Sequence, residues 1–203
     1  MSLLMDLDGT LVRLPIDWSA FYRFLQDRGI EMKFLRFIRE YWGTDLFWQA
    51  HEFLKKLELE ALSRVVVYES VGDLLENLSQ RVKIAIITFQ SRSVAEEVLR
   101  IMGLKHVVEE VVAREDCGSR LCQIRMALTR LGSSPEESLF IGDKVNDAIS
   151  AVACGTRCAI VFRGLRSSQI SDTDDVLEDL SSWGIPVFST LREALEYAAR
   201  LLR

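Results

Sequence analysis

Residues 2–10 read Ser-Leu-Leu-Met-Asp-Leu-Asp-Gly-Thr, a short apolar run that stops on acid and turns at a glycine. Its length and composition make it a strand. Period two along an extended backbone sets Asp6 and Asp8 on the same side, and Gly9 lets the chain turn directly after them. Beyond residue 70 similar runs recur: Lys83 to Thr88, Glu110 to Ala113, Ser138 to Gly142, Arg157 to Phe162 and Pro186 to Phe188 read as strands. Arg92 to Met102, Arg120 to Leu131, Val145 to Cys154, Asp174 to Trp183 and Leu191 to Leu202 carry helical periodicity between and after them. This alternation predicts an α/β fold, a doubly wound parallel sheet with helices on both faces and right-handed crossovers, joined by the first strand. Ser134 with Pro135 and Glu137, and Thr190 with Glu193, read as capping-box helix starts. Gly164 to Asp175 reads as a loop.

Residues 14–69 differ. They show helical patterning with no strand, and between Trp18 and Phe53 they hold 11 of the 18 aromatic residues. So many rings in so short a segment predict a small α-helical lobe, because aromatics bury large areas where few aliphatic residues are available. Gly29 and Gly43 divide it into helices near 17–28, 31–42 and 45–60. The expected organisation is a core of residues 1–13 and 70–203 with a helical cap at 14–69 inserted after the first strand.

Composition narrows the partners. With 203 residues, 49% of them hydrophobic and 27% charged, the chain is an ordinary globular sequence with room for one large core. A net charge of −5 offers no basic surface for nucleic acid. Charges interrupt every apolar run before membrane-spanning length, and the first five residues, too short for a secretory segment, lead straight into acid. These features point to a cytoplasmic protein with a small-molecule partner; oligomeric state is left open. Cys117, Cys122, Cys154 and Cys158 lack CxxC spacing and clustered histidines, so they read as buried thiols ahead of a disulfide or metal role.

The chemistry should lie beyond the carboxyl ends of the strands, where open α/β sheets bind ligands. Two carboxylates as close as Asp6 and Asp8 imply Mg²⁺, a shared proton, or both. Thr88, followed by the backbone N–H groups of Phe89, Gln90 and Ser91 before a helix, makes an anion cradle. Gly142-Asp143-Lys144-Val145-Asn146-Asp147 adds two acids four residues apart at the next helix start, and hard oxygen ligands from Asp6 and Asp143 suit Mg²⁺.

Asp6-Leu7-Asp8-Gly9-Thr10, a threonine closing a hydrophobic strand at Thr88, and the stretch 142–147, in that order, resemble the haloacid dehalogenase superfamily in its phosphatase branches. The likeness covers the whole chain and is closest to capped, phosphoglycolate phosphatase-like members. It implies a Mg²⁺-dependent phosphomonoester hydrolase acting on a small phosphorylated metabolite, with Asp6 the nucleophile and Asp8 the acid and base. In such enzymes the Asp8 backbone carbonyl also meets the metal. Thr88 and Phe89 would bind the phosphoryl group, Asp143 would hold the metal, and Asp147 would ligate or orient. An acid at position 8 favours ester hydrolysis over carbon–halogen cleavage, since an alkoxide needs a proton to leave. The family lysine before the third motif is missing. Arg120 is the expected substitute, with Arg114 and Lys144 as competitors. A phosphotransferase or phosphomutase would use the same nucleophile, and a catalytically silent phosphate-binding protein is the further alternative.

Overall fold

The computed structural model describes residues 1–163 and 179–202. The loop expected at 164–175, and most of the helix expected at 174–183, lie outside these; residues 179–182 are helical. Six strands form one parallel sheet in the order β5-β4-β1-β6-β7-β8. They are β1 Ser2–Asp6, β4 Lys83–Ile87, β5 Glu110–Val112, β6 Ser138–Gly142, β7 Arg157–Val161 and β8 Val187–Phe188. The chain returns to both flanks of β1, which pairs with β4 through Asp6↔Ile87 and with β6 through Met5↔Ile141. That reversal opens a crevice at the carboxyl ends of β1, β4 and β6.

Alternation along each strand feeds two cores, as side chains of period two require. Leu3, Met5, Ile84, Ile86, Leu139 and Ile141 face one side. There they meet α4 Gly72–Ser79, α5 Arg92–Ile101 and α8 Leu191–Leu201. Leu4, Ala85, Ile87 and Phe140 face the other, against α6 Arg120–Leu131 and α7 Val145–Ala153.

Three helices fill the early segment: α1 Trp18–Gln26, α2 Phe34–Tyr41 and α3 Asp45–Leu62. Thr44 accepts the Phe47 N–H at 3.2 Å and starts α3. The lobe's Phe21, Leu25, Phe37, Phe47 and Leu54 share one continuous core with the first face of the sheet. One charged residue lies within the buried stripe of α3, where Phe47, Ala50, His51, Leu54, Glu58 and Ala61 recur at helical spacing. Glu58 is matched by Arg114, whose Nη1 and Nη2 donate to its carboxylate at 2.6 and 3.2 Å, with both side chains fully buried.

Four sequence expectations need correction. A two-stranded antiparallel pair, β2 Val12–Arg13 with β3 Val66–Val67, joins the two stalks of the lobe, so residues 14–69 are not purely helical. Two-residue strands are too short to register as periodicity. Helix α4 went unassigned because it is one short, glycine-initiated element with no side-chain cap. Ser134, Pro135 and Glu137 form a turn: Ser138 donates its N–H to Pro135 O and its hydroxyl to Ser134 O, and the chain enters β6 directly. Thr190 and Glu193 do form a capping box, on α8. Cys117 and Cys122 are joined in a disulfide across the start of α6, while Cys154 and Cys158 are free. The turn before α6 folds the first pair together, which spacing alone does not show.

Removing Glu58 strands the Arg114 charge in the core, and breaking a buried pair on one side typically loses about 3–5 kcal/mol. Glu58→Ala should lower the urea-unfolding free energy by about that amount, and Glu58→Leu combined with Arg114→Met should recover most of it. Thiol titration in denaturant without reductant should find Cys154 and Cys158 alone reactive.

Candidate active site

Asp6 ends β1 with its carboxylate buried, and Asp143 and Asp147 bring ligand oxygens that all lie within 4.8 Å of one another and of Asp6. Two glycines permit this closeness. A Cβ on Gly9, whose φ is +104°, would overlap the Asp143 carboxylate, and one on Gly142 would overlap Asp147.

Arg120 is the first residue of α6, and Ser119 caps that helix by accepting the Cys122 N–H at 3.2 Å. The guanidinium is almost fully buried, with Nη2 donating to Asp6 at 2.6 Å and Nε to Asp147 at 2.9 Å. Its Nη1 donates to Ile87 O and to Gln123 Oε1 at 2.7 and 3.1 Å. Asp147 also accepts the backbone N–H groups of Asp143 and Lys144, fixing the loop into α7.

Burial raises the pKa of Asp6, with Arg120 pulling the other way; it likewise raises Asp143, opposed by Lys144, and Asp147, opposed by Arg120. The three clustered carboxylates form an all-oxygen donor set that fits a hard divalent cation such as Mg²⁺.

Asp8 stands beside this trio. Its carboxylate accepts the Leu14 N–H at 2.8 Å, and burial raises its pKa to about 6 although that hydrogen bond and Lys144 oppose the shift. A carboxyl group whose pKa is raised toward neutrality can serve as a general acid.

Thr88 is buried at the end of β4; its hydroxyl is engaged by Gln90 Oε1 and accepts the Gln90 N–H. Gln123 Nε2 holds the Thr88 carbonyl at 2.7 Å. The Phe89 ring lies under Arg120, 4.8 Å from the guanidinium carbon.

Thus Asp6, Asp8, Phe89, Arg120 and Asp147 line one cavity of about 130 Å³, with Thr88 and Asp143 adjoining it. Lys144 also lines it, half exposed and 3.1 Å from Asp143. Burial opposes the Lys144 charge, but Asp6, Asp143 and Asp147 together outweigh it and raise its pKa. Arg114 is not there: it serves Glu58, His51 Nδ1 and Phe89 O in the lobe interface. His51 is a buried member of that interface, its pKa lowered by burial and by Arg114. Arg13 and Arg23 are exposed and do not line the cavity. Sequence reasoning missed Gln123, which props the Thr88 carbonyl, and the cavity residues Trp18, Phe34, Leu35 and Asn146. Nothing in their local pattern separates them from core or surface.

The haloacid dehalogenase-like hydrolase family matches residues 3–161. The chain belongs to that family. It is 31% identical over 109 residues to pyrophosphatase PpaX of Bacillus pumilus (strain SAFR-032), a match covering 52% of this chain and 50% of the relative. The chain thus spans about half the length of the curated relatives it matches. Its fold is similar to the haloacid dehalogenase-like hydrolase SP0104 of Streptococcus pneumoniae, with a TM-score of 0.66 at 20% identity over 97% of both chains. The HAD phosphatase of Thermococcus onnurineus is similar too, with a TM-score of 0.62 at 22% identity over 97% of both.

Asp8 supplies a pH signature. Its folded pKa of about 6 exceeds the usual carboxylate value of 3.8, so the native state holds the proton longer. The contribution to stability is complete below pH about 4 and is lost as pH rises through about 6. Measured against Asp8→Asn by chemical denaturation without metal, the wild type should lose roughly 2 kcal/mol between pH 4 and 7.5.

Proposed function

We propose that the chain is a Mg²⁺-dependent phosphomonoester hydrolase acting on a small phosphorylated metabolite, with Asp6 as nucleophile. One observation carries this reading: a buried, arginine-bound carboxylate at the end of β1 stands two residues from a carboxyl group whose pKa is about 6. Nucleophile and proton donor are thus held on one rigid turn, where Gly9 donates its N–H to Val12 O at 2.8 Å.

In this reading an Asp6 oxygen forms a bond to phosphorus as the bond to the leaving oxygen breaks, and the Asp8 proton passes to that oxygen. Water then attacks the aspartyl-phosphate, giving a proton to Asp8 and releasing inorganic phosphate. Arg120 opposes the charge gathering on the phosphoryl oxygens. The Thr88 hydroxyl and the Phe89 N–H donate to the same oxygens, with the phosphoryl group replacing Gln90 as the Thr88 partner. Asp6 and Asp143 would hold Mg²⁺, aided by the Asp8 carbonyl, and the ion would supply charge neutralisation at the phosphoryl group. Asp147, whose oxygens already serve Arg120 and two backbone N–H groups, orients the others.

Residues 14–69 act as the cap, roofing the cavity with Trp18, Phe34 and Leu35 and excluding water. The core then comprises 1–13 and 70–203. A cytoplasmic setting belongs to the same reading, since a phosphorylated metabolite is too highly charged to cross a membrane unaided. The pyrophosphatase name of the Bacillus relative keeps a phosphoanhydride among the substrates worth testing.

The test is hydrolysis of aryl phosphate and a panel of phosphoesters with and without Mg²⁺. Asp6→Asn should lower kcat by at least about a thousandfold, and a chelator should abolish turnover until Mg²⁺ is restored. Turnover that survives in Asp6→Asn would remove the nucleophile from this carboxylate.

A further inference from the structure

The cavity is charged on its floor and apolar on its roof. Asp6, Asp8, Asp147 and Arg120 form the floor, and the lobe contributes Trp18, Phe34 and Leu35. Those three carry no formal charge and no acceptor side chain. The lobe does contain basic residues, but among the described residues none of them lines the cavity; Arg28 lies on the Phe24 ring and donates to Phe24 O, and Arg36 pairs with Glu40 at 2.7 Å.

Among the described residues the cations lining the cavity are Arg120 and Lys144. Every nitrogen of the Arg120 guanidinium has a partner in the floor, from Asp6 and Asp147 to Ile87 O. Lys144 is paired with Asp143. Whatever positive charge these supply is directed at the floor, where the phosphoryl group would sit. Among the described residues, a leaving group reaching the roof meets none.

Rings run from roof to floor without a break. Trp18 and Phe34 have centroids 5.0 Å apart, Phe34 meets Phe89 edge-on at 6.2 Å, and Phe89 carries the Arg120 guanidinium on its face. A second carboxylate or phosphate pressed against this surface would shed water and gain no cation, which is strongly unfavourable. A ring or compact apolar group would instead bury area and find stacking partners.

We propose that the leaving group selected by this site is uncharged and apolar, seated on Trp18, Phe34 and Leu35, so that monoesters of aromatic or other apolar alcohols are preferred over substrates with a second anion. This rests on the phosphatase reading for the chemistry at Asp6, though not for the binding preference itself.

Two measurements separate the ideas. In the first, benzylphosphonate and phosphonoacetate, which share a methylene-linked phosphonate and cannot be hydrolysed, are titrated calorimetrically into the protein with Mg²⁺. Benzylphosphonate should bind about tenfold more tightly, the factor given by roughly 1.4 kcal/mol of ring contact. Leu35 is 41% exposed, so Leu35→Lys tolerates folding while adding a cation to the roof, and it should narrow or reverse the preference. Trp18→Ala should weaken benzylphosphonate alone, with circular dichroism confirming the fold. Equal or tighter binding of phosphonoacetate to the wild type would overturn the proposal whatever the catalytic outcome.

In the second, kcat/KM is compared for benzyl phosphate, phosphoglycolate and pyrophosphate. A lead for benzyl phosphate supports the proposal. A lead for either competitor, each of which carries a second anionic group, overturns it and leaves the phosphatase reading standing. Preferred binding of benzylphosphonate with no turnover of any ester supports the proposal and overturns the phosphatase reading.

Discussion

A buried guanidinium at the wrong end of a helix organises this protein. Arg120 is the first residue of α6, where the helix macrodipole disfavours a cation. It is also almost wholly out of water, so its charge must be answered locally. Asp6 and Asp147 provide the answer from two different strand ends, and the Ile87 carbonyl completes it from a third. One side chain therefore ties β1, β4 and the β6–α7 turn to the start of α6. Asp143 lies beside the two carboxylates that Arg120 bonds, and burial raises the pKa values of all three acids although Arg120 opposes the shift. The demand for a cation is a consequence of packing before it is a matter of catalysis.

The sheet makes that packing achievable. A parallel arrangement with β1 central brings every relevant strand terminus to one edge. Gly9 and Gly142 then remove the two side-chain stubs that would hold the acids apart. Neither glycine touches a ligand group by hydrogen bond; each acts by the volume it does not occupy.

This explains which parts were legible beforehand. Strand ends converge in any doubly wound sheet, so Asp6, Thr88 and Asp143 could be grouped from strand positions alone. Arg114 and Arg120 were another matter. The former lies in the connection before α6 and the latter is its first residue, and what separates them is the location of an acid in the lobe. Glu58 claims Arg114. The signal was present, since an acid within the apolar stripe of α3 requires a buried cation, but a stripe reading names the need and not the partner. The disulfide and the β2–β3 pair were hidden for related reasons, each depending on how two distant or tightly turned segments meet. The roof residues Trp18 and Phe34 read correctly as packing rings. Which edge of that packing faces the cavity is decided by docking of the lobe as a whole.

That docking ties the lobe to the segment 88–91 by charge. Glu58 accepts from Arg114 and also takes the Ser91 N–H at 3.1 Å, while Arg114 donates to the Phe89 carbonyl at 2.7 Å. The segment 88–91 is thus gripped from the lobe through α3, not from the sheet alone. Trp42 adds a further tie by donating Nε1 to the Arg114 carbonyl at 3.1 Å. Lifting α3 would expose a matched ion pair and release the anion cradle together, whereas the roof proper, carried by α1 and the start of α2, meets the floor through the rings of Phe34 and Phe89. An aromatic contact of this kind is worth about 0.5–1.5 kcal/mol beyond its buried area. The lobe therefore meets the segment 88–91 in two ways, through buried charge from α3 and through ring contact from the start of α2.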